Sequence, residues 1–172
     1  RNGNPEIYYK HSTDYGANWE AVQRLTNDAA ASLFPFISAS GNDLHIAWVD
    51  ERNGNKEIYY KLSTNKGVSW GADFRLTQDP LVSDNVSIVS SGSFVHTAWE
   101  DTRDGNYEIY YKRSTKGGTS WDAVSRITNS TETSQYASIS VTGTVVHIVW
   151  VEQLGSNSEI YYIRSVNNGV NW

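Results

Sequence analysis

The chain has 172 residues, a formal net charge of −5, seven Trp and 11 Tyr, and no Cys. Its length suits one ordinary domain, and the lack of Cys rules out a disulfide framework and a thiolate metal site. The negative charge and the dispersed Lys and Arg argue against nucleic-acid binding. No apolar run reaches the length of a membrane span.

The predicted elements begin with a short strand at Glu6–Lys10 and a polar octet at 12–19 that ends in Trp. From residue 31 a unit of four strands follows, named a to d in chain order, which covers 35–39, 44–49, 57–62 and 74–77. Turn-forming Gly, Asn, Asp and Ser separate these strands, and a second octet at 63–70 lies between strands c and d. Short strands at this spacing predict antiparallel all-β structure.

The same unit recurs without insertion. Strand a returns at 86–90 and 137–141, strand b at 95–100 and 146–151, and strand c occurs at Glu6–Lys10, Glu57–Lys61, Glu108–Lys112 and Glu159–Ile163. The octets close with Trp19, Trp70, Trp121 and Trp172, each 51 residues after the one before. A fixed period of this length indicates a repeat architecture. We therefore predict a single repeat domain over 1–172, with repeats 1–51, 52–102 and 103–153 and a partial repeat 154–172.

Strand b shows how the sheets are arranged. In the first copy, Leu44, Ile46 and Trp48 line one face of the strand, and His45, Ala47 and Val49 line the other. Neither face has the polar residues expected of a surface in contact with water. A four-stranded sheet that is covered on both faces must lie between two neighbouring sheets. The radially packed blades of a propeller have this arrangement. Parallel β-helix repeats are shorter and lack the hairpin pattern. The predicted fold is a β-propeller of four-stranded antiparallel blades, with about three blades plus a partial one in this chain.

The octets follow the turn motif Ser-x-Asp-x-Gly-x-x-Trp. Ser and Asp oxygens bond nearby backbone N–H groups, Gly permits a positive φ, and the Trp ring packs beneath the hairpin. The chain thereby resembles the Asp-box propellers (bacterial neuraminidase repeats) of the sialidase-like type. The structural Asp-box positions are Ser12, Asp14, Gly16, Trp19, Ser63, Asn65, Gly67, Trp70, Ser114, Lys116, Gly118, Trp121, Ser165, Asn167, Gly169 and Trp172. Since Lys116 cannot accept the turn bonds, we expect Gly117, Gly118 and Trp121 to hold the third octet.

The resemblance implies that Asp-boxes lie between strands c and d, on the face away from an active site. The sialidases of the family that the chain resembles use an arginine triad, a Tyr–Glu nucleophile pair and an Asp acid/base. They also carry an Arg-Ile-Pro motif, which is absent from this sequence. The arginines instead recur with the period, as Arg1, Arg52 and Arg103 and as Arg24, Arg75 and Arg126. A carboxylate clamp needs arginines that converge on one point. We therefore predict no catalytic residue, no metal and no cofactor in this chain.

The b–c turns are the candidate ligand site, on the face opposite the Asp-boxes. They carry Asp50 and Arg52 in one repeat and Asp101 and Arg103 in the next, ahead of an Asn-Gly or Asp-Gly turn. Three interpretations stay open. We favour an Asp–Arg pair that supports the hairpin turn; glycan contact comes second, and Ca²⁺ binding by the turn oxygens comes last because the spacing does not match an EF-hand loop.

His45, His96 and His147 recur on strand b, and pairs of Tyr recur on strand c. A metal needs ligands about 2 Å away, whereas equivalent positions in different blades diverge. We therefore predict histidines packed between blades. The Tyr pairs offer rings for sugar stacking, but alternation sends one ring to each face of a blade, so interblade core is the favoured interpretation.

The strand count indicates an incomplete ring. Propellers close with four to eight blades, and this chain supplies three a, b and d strands and four c strands. Open end sheets rich in Tyr and Trp favour association. We predict that the chain is not a closed monomer. It is either an excerpt of a longer propeller or a unit that self-associates. Self-association could join two three-blade units in a six-blade ring, with the surplus c strand exchanged or overlapped at the junction. A larger or open assembly is the third alternative.

Three functions are compatible with these features. The first is a non-catalytic Asp-box propeller module, extracellular or at the cell surface, with a structural or glycan-binding role. The second is a fragment of a sialidase-like glycoside hydrolase whose catalytic residues lie outside this chain. The third is a pure assembly unit of a surface protein or fibre. The predicted partners are further copies of the chain or the remainder of a longer one, and glycans; nucleic acid is not expected.

Overall fold

The computed structural model describes residues 3–172, whose strands form four sheets. The first sheet pairs β1 (Tyr8–Tyr9) with β2 (Gln23–Arg24). The second contains β3 (Ser32–Ser40), β4 (Asp43–Asp50), β5 (Glu57–Ser63) and β6 (Phe74–Arg75). The third contains β7 (Ser83–Ser91), β8 (Phe94–Asp101), β9 (Glu108–Ser114) and β10 (Ser125–Arg126). The fourth contains β11 (Thr133–Thr142), β12 (Val145–Leu154) and β13 (Asn157–Ser165).

Within each sheet the strands pair antiparallel in chain order. Strands c–d, two complete a–b–c–d blades and a final a–b–c therefore follow one another, which confirms the predicted blades. We name the sheets blades 1 to 4. Strand d is shorter than predicted and ends at Arg75. The reason is that the Thr77 hydroxyl, rather than a backbone oxygen, accepts the N–H of Ile58 at 2.8 Å.

Strand a begins earlier than predicted because each copy contains a β-bulge. The bulged residues are Phe34, Asn85 and Tyr136, with φ of 50°, 47° and 58°, and the pairing register shifts at the same points. A bulge inserts one extra residue and re-aims the side chains beside it. The bulges lie at the end of the sheets that also carries the b–c turns.

The core lies between blades, as the covered faces of strand b predict. Trp48, Trp99, His45 and His96 are fully buried. One cluster joins Ala47 of blade 2 to Trp99 of blade 3. The a strands of successive blades also touch, since the Ser38 hydroxyl accepts the N–H of Ser90 at 2.9 Å. The burial of apolar side chains thus links each blade to the next.

The two ends of the sheets have different loops. The octets bond to the a–b turns, with Lys66 N–H to Asn42 C=O at 2.8 Å and Gly117 N–H to Ser93 C=O at 2.7 Å. Strand b runs from the a–b turn to the b–c turn, so the b–c turns lie at the opposite end. Residues 3–172 contain no helix that is long and apolar enough to cross a membrane.

Candidate functional site

The b–c turn of blade 2 holds a buried carboxylate whose hydrogen bonds all come from nearby groups. Asp50 accepts bonds from Arg52 Nε and Nη2 at 2.7 Å each, from Trp48 Nε1 at 2.8 Å and from Ser32 Oγ at 2.9 Å. Burial alone would raise the pKa of Asp50, but the bonds from Arg52 and Trp48 outweigh it and lower the pKa. The carboxylate is therefore charged and fully engaged inside the blade.

Arg52 is engaged on its other side as well. Its Nη1 lies 2.8 Å from Asp73 Oδ2, and its guanidinium stacks 4.5 Å above the ring of Tyr59. The hydrogen bond to Asp50 raises the pKa of Arg52 further above its already high value. The groups that would contact a glycan are thus already bonded within the blade, and the ligand-binding role of Asp50 and Arg52 stays a prediction.

Blade 3 repeats this pair, and blade 4 loses half of it. Arg103 donates to Asp101 from Nε at 2.8 Å and from Nη2 at 2.6 Å, and it stacks 4.5 Å above Tyr110. In blade 4 the carboxylate is Glu152, which still accepts the indole N–H of Trp150 at 2.9 Å. Since Leu replaces the arginine there, the Trp–carboxylate bond is the constant part of the turn.

The second periodic set of arginines is also paired. Arg75 Nη2 donates to Glu57 at 2.6 Å, and the Thr77 hydroxyl donates to the same buried carboxylate. The Asp79 N–H adds a bond of 3.2 Å. Equivalent clasps join Arg24 to Glu6 and Arg126 to Glu108, and each ties strand c to strand d. Arg1 lies outside the described residues.

Each octet turn is organised by its Ser. The Ser hydroxyl accepts the N–H of the Gly four residues later at 2.8–2.9 Å in all four octets, at Gly16, Gly67, Gly118 and Gly169. Asp14 adds a bond from the Asn18 N–H at 2.8 Å. These bonds lower the pKa of Asp14 to about 2. Lys116 makes no such side-chain bond, and Ser114 holds the third turn together with the glycines.

The octets also join one blade to the next. The Tyr60 ring of blade 2 packs against Gly118 of blade 3, where an added Cβ would overlap its hydroxyl. It meets Trp121 edge-on, with ring centroids 5.1 Å apart. The same joint forms between Tyr9 and the octet of blade 2 and between Tyr111 and the octet of blade 4. The octet Gly is therefore needed for the close approach of a Tyr as well as for its positive φ.

Two of the three repeated histidines belong to this joint, whereas His147 bonds the exposed Tyr162 at the open end of blade 4. His45 Nδ1 lies 2.7 Å from Tyr60 Oη, and His96 Nδ1 lies 2.6 Å from Tyr111 Oη. Burial lowers the pKa of both rings, to about 4 for His96, so they are neutral at pH 7. Within residues 3–172, no three His, Asp or Glu side chains are grouped to hold a metal ion.

One polar cluster departs from the 51-residue period. Glu100 occupies the strand b position that is Val49 in blade 2 and Val151 in blade 4, and it is fully buried. One carboxyl oxygen accepts the amide of the bulged Asn85, while Oε2 has no hydrogen bond of normal geometry. Desolvation raises the pKa of Glu100, and bonds from Asn85 and Gln135 oppose it.

The same cluster includes an ion pair between blades. Lys56 Nζ lies 2.6 Å from Asp84 Oδ2, and Asp84 precedes the bulged Asn85. Sequence reasoning on the repeated residues missed this cluster. The signal that would have found it is the breakdown of the repeat at Asp84, Asn85 and Glu100, which single out blade 3.

No protein-family model and no curated protein matches the chain, but solved structures do. A sialidase of Trypanosoma rangeli superposes with a TM-score of 0.69 at 15% identity, over 97% of this chain and 32% of the sialidase. An alpha-L-arabinofuranosidase of Fusarium graminearum gives 0.70 at 13% identity, over 97% and 56%. An alpha-L-arabinanase of Penicillium chrysogenum gives 0.58 at 15% identity, over 88% and 53%.

The likeness establishes the fold. The chain has the fold of a partial β-propeller whose complete blades have four antiparallel strands, and it shares this fold with the three enzymes. It spans about a third of the sialidase and a little over half of the arabinofuranosidase and of the arabinanase.

Proposed function

We propose that this chain is a non-catalytic Asp-box propeller segment that works by assembly, outside the cell or at its surface, as one repeat domain over 1–172. The main observation behind this proposal is that certain residues at the two ends of the row of blades are exposed, whereas the equivalent residues of the inner blades are buried. Ile37 of blade 2 is 53% exposed, whereas Ile88 and Ile139 are 6% and 7% exposed. Among the described residues, blade 1 consists of the β1–β2 pair, which leaves Ile37 uncovered.

The other end is open in a complementary way. Tyr162 of blade 4 is 55% exposed, whereas Tyr111 is 2% exposed because it packs against the octet of the next blade. At the first blade, Trp19 is exposed and Gly16 has no neighbour where a Cβ would project. Tyr162 offers one half of an interblade joint, and the first octet offers the other half.

The occupant that fits both ends is another set of blades of this kind. The two ends differ from each other, so the contact is heterologous, and such contacts close into rings or continue as fibres. A second copy supplies the missing blades, with the surplus c strand exchanged or overlapped, and the remainder of a longer chain would supply the same surface. Ile37 and Tyr162 are exposed apolar residues at the two ends, and exposed apolar patches mark interaction sites.

Self-association tests this proposal. Sedimentation velocity of the 172-residue chain is expected to give a multiple of the 19.3 kDa protomer mass. Ile37→Lys should give the protomer, because a buried unpaired charge disfavours the contact. The control is Val68→Lys, which changes an exposed apolar residue in an internal octet. A wild-type chain that stays monomeric at micromolar concentration contradicts the proposal.

The lack of catalysis is supported by the pairing of the candidate groups. Asp50, Arg52, Asp101 and Arg103 neutralise one another inside the b–c turns. A glycan would have to bind the partly exposed edges of the two guanidinium groups. A glycan array separates a binding module from a pure assembly unit, since only a binding module is retained on the immobilised sugars. If the chain is retained, Arg103→Ala should lower the amount of bound protein.

A second candidate is part of a glycoside hydrolase. It is favoured by the likeness to the sialidase and the arabinofuranosidase, both of which are longer than this chain. Fluorogenic sialosides and arabinofuranosides test it directly. Turnover by this chain that Glu100→Gln abolishes would replace the non-catalytic proposal, whereas turnover that appears only in a longer chain would place catalysis in other segments.

A further inference from the structure

A cleft of about 340 Å³ lies between strand d of blade 2 and the outer strands of blade 3. Arg103, Lys112 and Val124 line it on one side, and Leu76 lies on the other. This lining does not include the exposed end residues Ile37, Tyr162 and Trp19. Two cations therefore face an open space between two blades.

The preceding pair of blades shows what such a pair of cations holds. There the Asp73 carboxylate lies between Arg52 and Lys61: Oδ2 is 2.8 Å from Arg52 Nη1, and Oδ1 is 2.8 Å from Lys61 Nζ. One carboxylate thus bridges the two cations with one oxygen each.

Blade 3 keeps the two cations and lacks the carboxylate. Arg103 and Lys112 stand 51 residues after Arg52 and Lys61, but Val124 stands at the position of Asp73. The ammonium groups are anchored alike, since Lys112 Nζ donates to Leu76 C=O at 3.0 Å and Lys61 Nζ donates to Leu25 C=O at 2.5 Å.

The charge of Lys112 is left without a carboxylate among the described residues. Burial lowers the pKa of Lys112, and the nearby positive charge of Arg103 lowers it further. Arg103 uses Nε and Nη2 for Asp101, so Nη1, the atom that in Arg52 binds Asp73, lacks that partner here. Both donors of the bridge are in place in a partly desolvated cleft.

We propose that this cleft binds the carboxylate of an external ligand, bridged by Arg103 Nη1 and Lys112 Nζ as the Asp73 carboxylate is bridged in blade 2. The apolar walls at Val124 and Leu76 accept a short hydrocarbon stem. Charge-assisted bonds from two cations favour an anion with two acceptor oxygens. The lining residues belong to blades 2 and 3, so the cleft is present in a single copy of the chain.

Acetate is the probe, because it reproduces the end of an Asp side chain. Saturation-transfer NMR at constant ionic strength is expected to show transfer to the acetate methyl group, with half-saturation at roughly 1–10 mM for so small a ligand. Acetamide, which has the same shape without the charge, should show none. The method works whether the chain is a protomer or an assembly.

Three variants assign the signal to the cleft. Val124→Asp supplies an internal carboxylate, as Asp73 does in blade 2, and should abolish the transfer. Lys112→Met should reduce it at least fivefold. Asp73→Val should convert the blade 2 cleft into a second site and raise the transfer about twofold. Circular dichroism checks that each variant is folded, and Val124→Asp has a folded precedent within the chain.

Two results overturn the proposal: no difference between acetate and acetamide, or an unchanged acetate signal in folded Val124→Asp. The natural carboxylate has two sources, a free small molecule or an acidic side chain of another copy. If it comes from another copy, excess acetate and Lys112→Met lower the assembled mass. If it is a free molecule, the assembled mass does not change.

Discussion

At the residue scale, Glu100 is a buried acid at a position where the repeat otherwise has Val. Its raised pKa means that the folded state binds a proton more tightly than the unfolded state. Stability from this group is therefore present below the unfolded value of 4.5 and is lost as pH rises through the folded pKa. Blade 3 therefore tolerates the cost of burying a carboxylate at neutral pH, whereas blades 2 and 4 avoid this cost with Val49 and Val151.

Glu100→Gln should consequently stabilise the protein at pH 7. The amide keeps an acceptor for Asn85 but carries no charge, so we expect a gain of about 1.4 kcal/mol for each unit by which the pKa is raised. At about pH 4 the variant and the wild type should converge. Urea unfolding at both pH values measures this, with the exposed Glu132→Gln as the control. A variant that is less stable than wild type at pH 7 would show that the charge is stabilising.

At the element scale, the octet turn is a joint as well as a turn. Its Gly needs a positive φ, as many turns do, but in an internal blade it also leaves room for a Tyr hydroxyl from the preceding blade. These two roles are separable, because the b–c turns contain glycines with positive φ and open space around them.

Gly118→Ala and Gly54→Ala compare the two roles. Both residues have positive φ, +81° and +92°, but a Cβ at Gly54 meets nothing within 4 Å while a Cβ at Gly118 overlaps Tyr60. Each variant should lose about 1–2 kcal/mol through backbone strain, and Gly118→Ala should lose a further 1–3 kcal/mol, roughly, through overpacking. Denaturant unfolding gives both values, and equal losses would mean that the joint is loose.

The elements were largely predictable from the sequence, and the exceptions have physical reasons. The fixed interval between Trp19 and Trp172 defines the repeat, and the two covered faces of strand b define the blade. The bulges at Phe34 and Asn85 were not predictable, since neither residue type demands a left-handed φ. Asp73, which precedes strand d and pairs with Arg52, was not predictable from the repeat either, because the next blade has Val124 at that position.

At the scale of the whole molecule, the main contacts between blades join successive blades, so stability depends on the number of joints between them. Residues 3–172 contain three Tyr–octet joints, and Tyr162 and the first octet each lack a partner of this kind there. If copies supply the missing joint, association stabilises the native state but not the unfolded one, and the midpoint of thermal unfolding depends on protein concentration.

This dependence is the prediction for the intact molecule. Each tenfold rise in wild-type concentration should raise the midpoint of thermal unfolding by roughly 2–5 °C, given the enthalpy of a domain of this size. Ile37→Lys should unfold at one temperature throughout, because its end face cannot bind a second copy. Val68→Lys should follow the wild type. Differential scanning calorimetry over two decades of concentration decides the matter: a wild-type midpoint that does not move would mean that the open ends stay uncovered in the isolated chain.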